Sequence, residues 1–511
     1  MLKEQYYQED SVETGNIIRE EVQEGADQKK QNLAGESVAI DDRRLNRIYR
    51  KVDKRLIPCL WTIYFFTYSA KSTIGIALTM NISKGHSLSQ VLNLSSQQIS
   101  IGITLFYISC CLFEIPCNMM LAYISPRFWI SKTLILVGIV LAFYSYIDSL
   151  IEFYVLRFLL GVSQAGLWPG MAYYLMLYYP PNVIGKRIGW YFSASQISTI
   201  MIGFFSIGFQ KMDGILNLEG YKWMFLVYGI VSIILGIFFM WMLPQTLTEA
   251  SVTEEELNSP SFLIRTYKRI KKSTEVSFLT HEEKQILLSN ISVKDFLGFR
   301  DILLVIRSPK IWPLILMYFG GMVVGISIHN YGALIIHSID VKMSEFKISF
   351  LYSIVWIINL IGVITILPIS DHYNLRLSLF IICCVVIIFG MLILTFSYNK
   401  WVRYLGLLIT ISTAGPTVPI CMAWCAQIFR SETKISAAIF SSTLSSLGQL
   451  GSIFATCVLY EGMPTKDAYK KSNYVVCGIM GMSIMASLVE KMLLKYFKKL
   501  QNTPSCKKPI E

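Results

Sequence analysis

From Arg55 onward the chain alternates between long apolar segments and shorter polar connections. Each apolar segment is about 20 residues long, the length that an α-helix needs to cross roughly 30 Å of hydrocarbon at 1.5 Å per residue. The pattern predicts an all-α membrane protein with twelve transmembrane helices in two sets of six. The predicted helices cover residues 56–77, 99–121, 129–146, 153–174, 188–207 and 223–243, then 311–336, 346–369, 377–396, 401–422, 436–459 and 474–494.

Polar sequence surrounds and separates the two sets. We expect residues 1–54 to form a disordered cytoplasmic tail, because they contain too few apolar residues to offset the entropy lost on ordering. The predicted order is then a first bundle (55–244), a cytoplasmic central loop (245–310), a second bundle (311–494) and a cytoplasmic C-terminal tail (495–511). Residues 293–306 show helical apolar spacing, which fits either a helix along the membrane surface or a plain connector helix.

Composition agrees with this pattern. Of 511 residues, 53% are hydrophobic and 16% are charged, and the mean hydropathy is +0.49. An ordinary soluble domain has roughly 25% charged residues, which it needs for a polar exterior. The eleven cysteines lie mostly in apolar runs, as small buried hydrophobic residues do, so they predict neither a disulfide framework nor a metal site.

The net charge of +12 follows membrane topology. The basic residues are dispersed and concentrate in the tails and in the short loops of one side, so we expect no nucleic-acid partner. Placing the basic loops inside puts both termini in the cytosol. The loop residues that decide this orientation are Arg127, Lys132, Lys186, Arg187, Arg430 and Lys434.

Few ionisable groups lie inside the predicted spans, and each costs roughly 2.5–3.5 kcal/mol on insertion scales. Lys71 could anchor an anionic substrate or pair with Glu114. Glu114 could bind a proton or serve helix packing. His329 could titrate near neutral pH or line a bend beside Asn330 as a satisfied polar group. Arg157, on the fourth helix, is a further charged group within a span.

Glycines suggest where helices bend and where they pack. Gly320, Gly321, Gly325 and Gly332 predict an interruption of the seventh helix, which would suit a gate. Small residues in the fourth and eleventh helices predict close helix approach.

Several classes of membrane protein are excluded by what the sequence lacks. There is no phosphate-binding G-x-x-x-x-G-K-[ST] loop, and none of the five histidines lies within five residues of another. We therefore expect no enzyme activity, no metal and no cofactor.

Two motifs point to a known family. The fourth helix reads R-F-L-L-G-V-S-Q-A-G-L-W-P-G from Arg157, and the second reads F-E-I-P-C-N from Phe113. They resemble the R-F-L-L-G-x-x-E-A-G-x-x-P-G and F-E-x-P-x-N motifs of the allantoate permease family, a fungal anion:cation symporter group of the major facilitator superfamily. The resemblance implies two pseudosymmetric six-helix bundles with a substrate site between them at mid-membrane.

The chain departs from the family pattern at acidic positions. The family's D-R-x-N-I-G-N-A run corresponds to A-K-S-T-I-G-I-A here, so the acid is missing and Lys71 stands for arginine. Gln164 stands where the family has glutamate. The loop after the eighth helix keeps an acidic motif, S-D-H-Y-N-L-R, which contains Asp371.

The resemblance implies a monomeric plasma-membrane transporter that imports a small organic anion together with protons, by alternating access. The family's substrates include allantoate, carboxylate vitamins and small peptides. A nutrient receptor or transport-inactive sensor on the same fold is the alternative that the lost acids suggest. We assign substrate binding to Lys71, Gln164, His329 and Asn330, and coupling or gating to Glu114, Arg157 and Asp371.

Overall fold

The computed structural model describes residues 42–78, 80–81, 84–244, 279–289, 307–339, 345–429, 434–459 and 466–501. These residues form α-helices, one 3₁₀ turn (Ile215–Asn217) and connecting turns, with no β-strand among them. The first half contains α1 (Asp42–Ala77), α2 (Leu88–Val91), α3 (Ser96–Ile124), α4 (Pro126–Tyr144), α5 (Leu150–Gln164), α6 (Leu167–Met176), α7 (Pro181–Lys211) and α8 (Gly220–Met242). After α9 (His281–Ser289), the second half contains α10 (Ile311–Ile339), α11 (Glu345–Tyr373), α12 (Arg376–Phe396), α13 (Lys400–Ile428), α14 (Lys434–Gly448), α15 (Leu450–Cys457) and α16 (Lys466–Gln501).

Local sequence signals set many helix ends. Ser95 and Gln98 form a capping box at the start of α3, and Ser149 caps α5 by accepting a hydrogen bond from the Glu152 amide. These side chains satisfy amide groups that have no partner in the first turn of a helix. Pro126 begins α4, where its missing N–H costs nothing.

Ten helical segments of the described chain are long and apolar enough to cross a membrane. The two predicted spans that do not meet this measure are α1 and the pair α14 and α15. Lys71 and several hydroxyl residues lower the hydropathy of α1, and a break at Gln449 divides the eleventh span into two short helices.

The first helix begins earlier than the sequence analysis placed it. Residues 42–54, assigned there to a disordered tail, form the first turns of α1. Leu45, Ile48, Tyr49 and Val52 recur at helical spacing, which gives this polar segment one apolar stripe. The rest of the predicted N-terminal tail, most of the central loop with its 293–306 helix, and residues 502–511 lie outside the described residues.

The helix breaks are not where the glycines predicted them. The expected interruption of the seventh helix is wrong, because α10 runs unbroken from Ile311 to Ile339. Three of its four glycines, Gly320, Gly321 and Gly332, lie close to neighbouring side chains: a Cβ on Gly321 would lie 2.7 Å from the Thr417 hydroxyl of α13. The breaks fall instead between α5 and α6, at Ala165 and Gly166, and between α14 and α15, at Gln449.

The two halves meet through a small set of helix pairs. Helix α7 packs against α11, and α3 packs against α14 and α15. Large apolar side chains such as Phe143, Phe204 and Phe389 are exposed on the outside of the helices, as expected for surfaces that face lipid. The interior between the halves contains the candidate site.

Candidate substrate-binding site

A cavity of about 140 Å³ lies between the two halves. It is much larger than the roughly 10–15 Å³ that one water molecule requires. Helices α1, α3, α5, α6 and α7 line it from the first half, and α10, α11 and α13 line it from the second. Its aromatic lining consists of Tyr64, Tyr68, Phe106, Tyr107, Trp168, Phe192, Tyr318 and Trp356, and its charged and amide lining of Lys71, Glu114, Gln164, Gln196, Asn359 and Gln449.

Lys71 lines this cavity from α1, and its ammonium group lies among aromatic rings. Its Nζ is 4.8 Å from the centroid of Tyr107, 5.2 Å from that of Tyr68 and 5.9 Å from that of Phe106. Ring faces attract a cation through their quadrupole, but they do not neutralise it. No ion pair joins Lys71 to a carboxylate of the described residues, so the pair with Glu114 that the sequence left open is not formed.

Glu114 faces the same cavity from α3 and bonds to the other half of the protein. Ser445 of α14 donates a hydrogen bond of 2.7 Å to its Oε1, and the Tyr318 hydroxyl lies 3.3 Å from the Ser445 hydroxyl. The second carboxyl oxygen, Oε2, is buried and has no hydrogen-bond partner. An ionised carboxylate with an unpartnered buried oxygen would be costly, so this arrangement suits a carboxyl group that carries a proton.

Gln164 occupies the last turn of α5, beside the break in the fourth span. Gly166 adopts φ +77°, a left-handed conformation that residues with a Cβ rarely adopt, and a Cβ there would lie 2.9 Å from the Cβ of Cys117. Gln164 donates a hydrogen bond of 3.0 Å from Nε2 to the Thr67 carbonyl of α1. The break therefore brings non-helical backbone and an amide to the cavity wall, where protein or water must solvate them.

His329 and Asn330, both predicted to bind substrate, do not line the cavity. His329 Nε2 is 3.4 Å from the Ser72 hydroxyl, and its Nδ1 is 3.1 Å from Asn330 Oδ1. The imidazole contacts the Tyr68 ring edge-on, at 5.8 Å between centroids. The structure therefore places this pair behind the aromatic wall.

Arg157 also lies apart from the cavity. The residue is buried, with its guanidinium 5.8 Å from the centroid of the Phe153 ring and its Nε without a hydrogen-bond partner. Among the residues that the structure describes, no group of three or more His, Cys, Asp or Glu side chains could hold a metal ion.

Asp371 lies near the end of α11, on the face that the charge pattern predicts to be cytoplasmic. It forms an ion pair of 3.2 Å with Arg376 and accepts a hydrogen bond from the Lys186 amide in the first turns of α7. Gly185 allows this approach, because a Cβ there would lie 2.9 Å from Asp371 Cγ. Asp371 thus links the two halves at this face, on the same helix as the cavity residue Asn359 but outside the cavity lining.

Three amide residues of the cavity wall were not predicted from the sequence: Gln196, Asn359 and Gln449. Uncharged polar residues are common in membrane helices, so these positions did not stand out from the surrounding apolar runs. Glu490 of α16 was not predicted either; it is buried away from the cavity lining, and neither of its carboxyl oxygens is hydrogen-bonded. The available signal was the interruption of an apolar run by an amide or an acid, but it does not tell which way the side chain faces.

The sequence of residues 60–456 matches the model of the family described as Major Facilitator Superfamily. The chain belongs to the Major Facilitator Superfamily. This facilitator is 38% identical to "Vitamin H transporter 1" of Schizosaccharomyces pombe over 464 residues, which are 89% of this chain and 81% of that one. It is 25% identical to "Major facilitator-type transporter hxnP" of Emericella nidulans over 468 residues, 89% of this chain and 87% of that one.

Solved structures show the same fold. The proton:xylose symporter XylE aligns with a TM-score of 0.60 at 15% identity, over 85% of this facilitator and 95% of that chain. The human organic anion transporter MFSD10 aligns with a TM-score of 0.60 at 13% identity, over 86% and 99%. The predicted fold is confirmed: the protein is an all-α, multi-pass membrane protein of the major facilitator fold, which has twelve membrane helices in two six-helix bundles.

The family also decides between the two functional classes. The relatives are transporters, so this facilitator is a transporter of small organic substrates and not an enzyme. The receptor alternative, which the lost acids suggested, is not favoured by these similarities.

Proposed function

We propose that this transporter imports a small organic monocarboxylate together with protons, and that biotin is the first substrate to test. The observation that carries the proposal is the Lys71 ammonium group, which lies in the cavity wall without a carboxylate partner. The relative named "Vitamin H transporter 1" supports a carboxylate vitamin, because vitamin H is biotin. The allantoate permease subgroup, suggested by the two motifs, remains part of this proposal.

The wall around Lys71 suits an anion with an apolar body. A buried ammonium at membrane depth is stable only if water, a carboxylate or a bound anion solvates it. The aromatic rings offer flat apolar surface for the remainder of the substrate. Substrate binding would then neutralise Lys71 and bury apolar area in one step, with Gln164 at the border of the site.

Glu114 is our candidate for proton coupling. It lines the same cavity as Lys71, and its hydrogen bond to Ser445 joins α3 to α14 across the two halves. Loss of its proton would create an anion that attracts Lys71 and competes with a substrate carboxylate. Proton and substrate would therefore enter together. One proton and one monocarboxylate together carry no net charge across the membrane, and each further proton that crossed would gain about 2.3 kcal/mol from each 100 mV of membrane potential.

Asp371 is our candidate for gating, since it links α7 and α11 at the predicted cytoplasmic face. Alternating access requires this link to open when the substrate leaves toward the cytosol. His329 and Asn330 would act indirectly, through the contact of the His329 ring with Tyr68 of the cavity wall. Arg157 would act through α5, where it contacts the Phe153 ring.

We further propose a monomeric transporter of the plasma membrane with both termini in the cytosol. The basic short loops support this orientation. Tags at both ends should resist external protease in intact cells, and cleavage of either tag from outside would contradict it.

Uptake of labelled biotin in cells without their own biotin transporter tests the function. Lys71→Ala should abolish uptake while the protein still reaches the membrane, and Lys71→Arg should retain part of it because the charge is kept. Lys211→Ala, at the exposed end of α7, is the matched control and should transport normally. Normal uptake by Lys71→Ala would remove this residue from the site, and no uptake of any organic anion by the unaltered protein would contradict the proposed function.

A further inference from the structure

Four carboxamide side chains line the cavity, and two of them have no hydrogen-bond partner. Gln164 donates to the Thr67 carbonyl, and the Gln449 oxygen accepts a bond of 2.9 Å from Ser452. Gln196 is only 2% exposed and Asn359 only 3% exposed, and the side-chain oxygen of each is buried and unpartnered. Such groups are rare in folded proteins because burial without a partner costs free energy.

The two unpartnered amides belong to different halves of the transporter. Gln196 lies on α7 of the first half, and Asn359 lies on α11 of the second, where these two helices pack against each other. Gly415 of α13 leaves room for the Asn359 amide, since a Cβ there would lie 2.9 Å from Asn359 Cγ. The absence of a side chain at Gly415 thus gives the Asn359 amide its space beside the cavity.

The chemistry of a carboxamide limits what can pair with it. Its oxygen only accepts hydrogen bonds, and its NH₂ group only donates them. A second carboxylate could accept from the NH₂ groups but would leave both amide oxygens unpartnered. A urea or amide group has an N–H beside a C=O and can satisfy both ends of a carboxamide at once.

We propose that Gln196 and Asn359 form a neutral subsite that recognises the urea or amide group of a carboxylate substrate. Lys71 binds the carboxylate of the same substrate. This inference rests on the proposed function and makes it more specific. The substrate class is a monocarboxylate with an apolar body and an N–H-bearing urea or amide, of which biotin is one member. Because the subsite draws on both halves, a bound urea group holds them together around the substrate.

Competition binding to the purified full-length transporter tests the subsite. The probes are biotin, lipoate, which has a carboxylate and a sulfur ring but no N–H donor, and biotinamide, which keeps the urea but lacks the carboxylate. The unaltered protein should bind biotin at least roughly tenfold more tightly than either analogue, the difference expected for one or more lost hydrogen bonds to a buried polar group.

The variants are Gln196→Met and Asn359→Leu, with Gln210→Met on the same helix, outside the cavity lining, as matched control. Each cavity variant should lose about tenfold in biotin affinity and little in lipoate affinity. The ratio of biotin affinity to lipoate affinity should therefore fall toward one. Their melting temperatures without ligand should stay equal or rise, because an unpartnered buried amide is replaced by an apolar group. The control should keep the preference of the unaltered protein.

Two results would overturn the subsite while the proposed function stands. One is equal binding of biotin and lipoate by the unaltered protein, or tighter binding of a polyhydroxy acid such as gluconate. The other is an unchanged preference for biotin in both cavity variants, or a lowered melting temperature with no change in preference. If the unaltered protein binds none of these anions, the proposed function fails and the subsite fails with it.

Discussion

Adding one methyl group at Gly185 should open the predicted cytoplasmic side of the transporter. In Gly185→Ala the new Cβ would lie 2.9 Å from Asp371 Cγ and 3.0 Å from Oδ2, and closer still to Oδ1. The carboxylate cannot stay in place at these distances, so α7 and α11 must separate or Asp371 must turn away. Either movement breaks the hydrogen bond that the Lys186 amide donates to Asp371.

The size of the effect follows from that one bond. A hydrogen bond to a charged group contributes about 1.5–3 kcal/mol. Alanine is a better helix former than glycine by about 1 kcal/mol, but α7 stays helical in both states, so this gain cancels. The Arg376 ion pair lies within the second half and can move with Asp371. The closed state at this face should therefore lose roughly 10- to 150-fold in population relative to the open state.

This change in population can be measured as ligand binding to right-side-out and inside-out membrane vesicles. Affinity for substrate added at the external side should fall, by at most the same factor of roughly 10- to 150-fold, because apparent affinity scales with the fraction of competent molecules. Affinity from the cytoplasmic side should stay equal or rise. Gly203→Ala is the matched control on the same helix, since a Cβ there meets nothing within 4 Å.

A double-mutant cycle separates the contact from general damage. With Asp371→Ala in place the methyl group no longer meets a carboxylate, so adding Gly185→Ala should change nothing further. Equal behaviour of Gly185→Ala and Gly203→Ala would refute the reasoning, as would an additive double variant.

Two other predictions concern Glu114 in the cavity wall and Asp213 between α7 and α8. Glu114→Gln keeps an oxygen that can accept a hydrogen bond from Ser445 but cannot gain or lose a proton. Biotin uptake by this variant should therefore become independent of external pH, while protein abundance is unchanged. Full pH dependence of its uptake would show that Glu114 has no role in proton coupling. Asp213, between α7 and α8, is partly buried, which by itself would raise its pKa, but hydrogen bonds from His86, the Gly220 amide and Lys84 outweigh this burial and hold the pKa below its usual range. A carboxyl group with a lowered folded-state pKa stabilises the fold above its unfolded pKa of about 3.9 and loses that contribution as pH falls through the folded value. Asp213→Asn should therefore lower the stability of the purified protein at pH 7 by on the order of 1 kcal/mol, and the deficit should shrink below about pH 4; an equal deficit at both pH values would contradict this account.

The sequence by itself determined the membrane class, the two sets of six spans and the presence of Lys71 and Glu114 at membrane depth. These properties depend on hydropathy over about 20 consecutive residues, and the cost of placing a charge in hydrocarbon makes each exception conspicuous. The helical start at Asp42 was also within reach, because its apolar stripe has ordinary helical spacing.

Tertiary structure decided which of these residues share a cavity. Lys71 and Glu114 lie on helices that approach each other, yet the ammonium lies among rings and the carboxyl bonds to Ser445 of the other half. Gln196 and Asn359 lie far apart in the sequence but line the same cavity. Local sequence sets the period of a helix, but the face that each residue presents, and its partner across the membrane, depend on how distant helices pack together.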